Sequence, residues 1–145
     1  MREVEIKIHS IIENLDDTGL ATEEVERENI TARGTFKYGI TGGTLEYDEE
    51  RDGTKVHSIL EVRGGKATLT KTGDINCVFS FISGEDTTSL YKTGAFAFDV
   101  KINTKRLKYD ATPTSCAIRL IYSMNIGGQE KRVNLLLSAS PIHTA

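Results

Sequence analysis

Hydrophobic and polar positions alternate with a period of two along most of this chain. Val4, Ile6, Ile8, Ser10 and Ile12 share one side of an extended segment. Glu3, Glu5, Lys7 and His9 share the other, with Ile11 as the exception. Ile75, Cys77, Phe79 and Phe81 alternate with Asn76, Val78 and Ser80, and Phe96, Phe98, Val100 and Ile102 with Ala97, Asp99 and Lys101. A longer stripe runs through Cys116, Ile118, Leu120, Tyr122, Met124 and Ile126. Successive strand side chains point to opposite faces, so each stripe predicts a strand with one dry and one wet side.

Turn signals separate these stripes. They fall at Gly42-Gly43, Asp52-Gly53, Gly64-Gly65, Gly73-Asp74, Gly84-Glu85, Thr93-Gly94, Asn103-Thr104, Thr112-Pro113 and Gly127-Gly128. Most intervals are about nine to twelve residues, the spacing of a sandwich or barrel. Asp52-Gly53 is the strongest hairpin signal. Thr22 to Glu28 is the one helical candidate, but Val25 is its only apolar residue after the cap. It reads better as the start of a strand that bends near Gly34. The expected fold is all-β: an antiparallel up-and-down meander of about 8–10 strands, closed into a barrel because closure removes exposed edges. Residues 1–145 form one domain in this reading.

Composition supports strands. Thr, Ile and Val number 17, 14 and 7, against 9 Ala and 11 Leu; β-branched side chains suit a pleated surface. A chain of 145 residues with 38% hydrophobic and 27% charged residues can bury a core without disulfides or metal. The net charge of -3 opposes nucleic-acid binding, despite Phe36-Lys37-Tyr38 and Arg63. No apolar run reaches about 18 residues, so no membrane span is expected. The start, MREVEIKIHS, has no secretory pattern. The expected location is cytoplasmic, with Cys77 and Cys116 as buried free thiols.

Catalytic and metal signals are weak. His9, His57 and His143 lack the spacing of zinc ligands. Asp48-Glu49-Glu50-Arg51-Asp52-Gly53 imitates the start of a calcium loop, but Ile59 stands at the twelfth position, where such a loop needs Glu. The Gly-Gly pairs lie between strand patterns and read as hairpins, not phosphate loops. No cofactor or metal is expected. Two acidic runs, Glu23, Glu24, Glu26, Glu28 and Asp48, Glu49, Glu50, Asp52, read as solvated edges that block aggregation.

Several segments resemble the YwiB-like family, small bacterial proteins of unknown function with a lipocalin-like (calycin-type) β-barrel. They are GTFKYGITGGTLEYDEE, KVHSILEV, KTGDINCVFSFISGEDTTSLYK and FDVKINT, between Gly34 and Thr104, with SMNIG nearer the end. The matching positions include Gly34, Tyr47, Glu49, Glu50, Gly73, Phe81, Gly84, Thr87, Tyr91 and Thr104. The chain departs at Thr93-Gly94-Ala95-Phe96, where the family often has Pro and Phe. It has no Trp, so it lacks the Gly-x-Trp signature of true lipocalins. The resemblance implies the barrel and no particular activity.

A barrel of about eight strands is just wide enough for its side chains or one small ligand. Polar residues on dry stripes are therefore the candidate binding groups: Ser10, Tyr38, Tyr47, Ser58 and Tyr122. Glu49 shares the parity of Leu45 and Tyr47, which would place it at the barrel mouth, where burial favours a protonated carboxyl. The leading expectation is a non-enzymatic barrel that binds a small apolar molecule. The alternatives are an interaction module with a filled core, binding a protein partner or a second copy, and a barrel enzyme. The last would need Glu49 beside another titratable group such as Arg63.

Overall fold

The computed structural model of the protein describes residues 2–16, 18, 20–39 and 41–142. The dry and wet stripes become ten strands. In chain order they are β1 (Arg2–Leu15), β2 (Ala21–Tyr38), β3 (Gly42–Arg51), β4 (Thr54–Arg63), β5 (Lys66–Gly73), β6 (Ile75–Ile82), β7 (Asp86–Thr93), β8 (Phe96–Ala111), β9 (Cys116–Ile126) and β10 (Gln129–Pro141). Each strand pairs antiparallel with its sequence neighbours, and β1 pairs with β10 to close the barrel. No helix occurs among the described residues. Asp52 and Gly53 both have positive φ, 50° and 82°, as a type I′ hairpin turn demands.

The segment from Thr22 to Glu28 is strand, part of β2. This strand pairs with β1 from Ala21 to Phe36, but with β3 only from Gly34 to Tyr38. Gly34 is where the second partner joins. A Cβ there would lie 2.1 Å from the Glu46 carbonyl oxygen and 2.9 Å from Tyr47 Cβ, so only glycine lets the strands meet. Before Gly34, β2 and β3 part, and the wall opens along one side.

Two expected turns are corrected. Gly42 and Gly43 begin β3, and the preceding turn closes through the Gly39 N–H donating to the Gly42 carbonyl at 2.8 Å. A Cβ on Gly42 would lie 1.7 Å from the Val62 carbonyl oxygen, so close strand approach explains this glycine. Asn103-Thr104 is no turn either. There β8 continues through a register shift between Thr104 and Arg106, a bulge that bends the strand. The bend brings Thr104 against the β6–β7 connection, where the Gly84 N–H donates to the Thr104 carbonyl at 2.8 Å.

The turns after β2, β4, β6 and β8 lie at one end of the barrel, and those after β1, β3, β5, β7 and β9 at the other. The first end is filled. Val4, Ile6, Phe36, Leu45, Ala67 and Phe81 are fully buried there.

Candidate functional site

Toward the second end the interior is hollow. A cavity of about 500 Å³ opens at this mouth, within the size range of small-molecule sites. Its walls are mostly aliphatic and aromatic: Ile8, Leu69, Phe79, Leu120, Val133 and Leu137 line it. Ten strands give a wider barrel than eight, and β2 leaves β3 in this half. Both widen the interior beyond what these side chains fill.

One wall is polar. Tyr47 lies opposite Ser58, Ser58 opposite Lys71, and Lys71 opposite Cys77, so four inward residues form a row across β3, β4, β5 and β6. Glu49, two residues along β3 from Tyr47, also lines the cavity. The Lys71 ammonium donates to Glu49 Oε2 at 3.5 Å. Their side chains are only 23% and 18% exposed. The Ser58 hydroxyl is buried beside the Tyr47 phenol on the same rung, and this polar contact opposes the rise of the phenol's pKa. Burial, aided by the Glu49 charge, raises the pKa of Tyr47. Burial also raises that of Tyr122. Both phenols therefore stay neutral and can donate. Burial raises the Cys77 thiol too, against the opposing charge of Lys71.

The β7–β8 hairpin forms an apolar lip. Phe96 and Phe98 continue the inward stripe of Val100 and Ile102, yet they extend past the end of β9, which starts pairing with β8 at Val100. Their rings stack at 6.3 Å and remain 67% and 38% exposed. Just inside, Tyr91 stacks on the cavity-lining Phe79 at 6.3 Å.

A family model described as "Domain of unknown function (DUF1934)" matches residues 6–136, which takes in β2 to β9 whole and most of β1 and β10. The chain belongs to this family. It is 27% identical over 90 residues to the "Uncharacterized beta-barrel protein YwiB" of Bacillus subtilis (strain 168). That match covers 62% of this chain and 63% of the relative, so under two thirds of the curated relative is spanned. A solved structure, "Crystal structure of ywiB protein from Bacillus subtilis", superposes with a TM-score of 0.77 at 23% identity, covering 99% of this chain and 95% of that one. The common ground is a barrel of unassigned function.

In this DUF1934 barrel, Tyr47, Glu49 and Tyr122 line the cavity, as does Ser10. Two other candidates lie elsewhere. Ser58 faces inward but sits behind the lining, fully buried. Tyr38 is corrected outright: it is 46% exposed and ends β2 at the filled end. Its alternation with Phe36 holds, but the strand has run past the rim, so parity no longer means interior. Arg63 is not the partner of Glu49. It pairs with Gly42 and Lys66 at the filled end, and Lys71 takes that place. Lys71 went unnoticed because it is charged, although the parity of Ala67 and Leu69 already pointed it inward.

His9 and His57 are not among the residues that line the cavity. His9 bonds Asn29. His57 sits between Asp48 at 2.6 Å and Glu46 at 2.8 Å, and both bonds raise its pKa. His143 falls outside the described residues. Among the described residues no three His, Cys, Asp or Glu side chains gather as a metal site, and no helix is long and apolar enough to cross a membrane.

Proposed function

We propose that this DUF1934 barrel binds one small, largely apolar molecule in the open half of its interior, without performing chemistry on it. The cavity of about 500 Å³ carries this reading. Closed interiors are normally packed to crystal-like density, and at the filled end Val4, Ile6, Phe36, Leu45, Ala67 and Phe81 are fully buried. The open half combines apolar walls with a few hydrogen-bonding groups, the composition of a ligand site. The exposed Phe96 and Phe98 lip supplies an apolar approach to the mouth. Tyr47, Glu49 and Tyr122 serve as binding groups, with Ser58 and Ser10 as neighbours.

The test is titration with Nile red, a neutral apolar dye, read by fluorescence and by melting temperature. Saturable one-to-one binding is expected, with a rise in melting temperature, because a ligand selective for the folded state stabilises it. Leu135→Trp places a large ring in the cavity and should abolish dye binding while circular dichroism and a cooperative melt persist. No saturable binding by the native protein, or unchanged binding in a folded Leu135→Trp variant, refutes the proposal. The search would then turn to protein partners of the outer face.

A further inference from the structure

The polar row of the cavity specifies more than an apolar ligand. Resting on the binding function proposed above, we infer that the bound molecule carries a net-neutral group that both donates and accepts hydrogen bonds, a carboxamide or its chemical equivalent, held between Lys71 and Glu49.

Lys71 and Glu49 are opposite charges placed by different strands on the inner wall. They meet at 3.5 Å through one long hydrogen bond. An ammonium has three donors and a carboxylate about four acceptor sites. Among the described residues neither group has another side-chain hydrogen-bond partner. Most of the hydrogen-bonding capacity of both groups is therefore available to a molecule in the cavity. Beside them, the buried Ser58 hydroxyl has the Tyr47 phenol as its polar neighbour.

The charge balance selects what completes it. An anionic head would pair with Lys71 and leave Glu49 facing a like charge. A cationic head would do the reverse at this pair; Glu28, Glu50 and Asp52 also line the cavity, but Glu28 is half-buried and Glu50 and Asp52 are exposed at the rim, where solvent screens them. Either strands one buried charge, which is costly. A neutral head leaves the ion pair intact and fills the free positions of both members. A carbonyl oxygen accepts from Lys71 Nζ, and an N–H donates to Glu49 Oε2. The aliphatic wall of β1, β9 and β10 opposite, including Ile8, Leu120 and Leu137, receives the apolar body.

A matched series tests this. The probes are 4-phenylbutanamide, 4-phenylbutyrate, 4-phenylbutylamine and butylbenzene, which share one apolar body and differ in the head. Each is titrated as a competitor of Nile red at pH 7. The amide is expected to bind at least about tenfold more tightly than the other three, as charge-assisted hydrogen bonds warrant. In Lys71→Met/Glu49→Leu, which removes both charges and strands neither, that preference should collapse to under about twofold while dye affinity holds. In Lys71→Gln alone, amide affinity should fall about fivefold or more. Equal affinities across the wild-type series, tightest binding of the acid or the amine, or an amide preference that survives in either folded variant would overturn the inference. Dye binding without amide preference defeats this inference alone. Absence of dye binding defeats the cavity reading, and this inference with it.

Discussion

The filled end and the open end of this barrel are made by the same ten strands and the same alternation, yet one is packed and the other hollow. At the filled end, Gly34, Gly42 and Gly43 let backbone and rings approach to distances no Cβ would allow. A Cβ on Gly43 would lie 2.4 Å from the Tyr109 hydroxyl and 2.8 Å from Phe36. The wall contracts there and two large rings, Phe36 and Phe81, occupy the interior. At the open end β2 is released from β3 before Gly34, and the wall carries Glu49 and Lys71 where the filled end carries Leu45 and Ala67. A barrel of one strand number can therefore be core and container at once. Local contraction and side-chain size decide which, since interior volume must be matched by atoms or left empty.

The largest expected effect that tests this contrast is on stability. Phe81 is fully buried and packs on Tyr122 at 4.8 Å. Phe81→Ala should cost about 3–5 kcal/mol in urea unfolding. Leu69→Ala, on the cavity wall, should cost about 2 kcal/mol, the low end for its type, because one side of Leu69 already borders empty space. Equal losses would mean that the open half is as tightly packed as the filled one.

Thiol reactivity sharpens the comparison next. Cys116 lies at the filled end, and burial pushes its pKa up to about 11. Cys77 is also raised by burial, but Lys71 beside it opposes the rise. The thiolate is the reactive form, so at pH 8 iodoacetamide should modify Cys77 several-fold faster than Cys116. Peptide mapping of a time course would show it, and the opposite order would contradict the placement of the two ends.

The smallest effect concerns the outer surface of the open half. His57 is held between Asp48 and Glu46, and its folded pKa is raised above the ordinary 6.5. Stability from this arrangement is fully present below pH 6.5 and is lost as pH rises through the raised value. Melting curves of wild type and His57→Gln should therefore differ most in mildly acidic buffer and converge at higher pH. The site is well exposed, so the difference belongs within the ~0–1 kcal/mol of surface pairs. A gap that widens with pH would show that the histidine is not stabilised as its charged form.

Much of this was legible before folding. The stripes through Ile6, Phe79, Ile102 and Leu120 named the strands. Asp52-Gly53 named a hairpin that the structure closes with two positive φ angles. Asn103-Thr104 misled, because turn chemistry and bulge chemistry use the same residue types. Tyr38 misled because parity tells which side a residue faces but not where the barrel ends.

The sequence by itself determined the strands and many of the inward side chains, Tyr47, Ser58 and Tyr122 among them. Period two is a property of the extended backbone and needs no partner. Tertiary structure alone decided which inward residues meet. Glu49 and Lys71 are 22 positions apart, and they join only because the registers of β3, β4 and β5 bring their rungs together. It also decided that a cavity of about 500 Å³ opens at one end of the interior. Register, tilt and the parting of β2 from β3 are relations between strands, set by closure of the whole barrel rather than by any one segment.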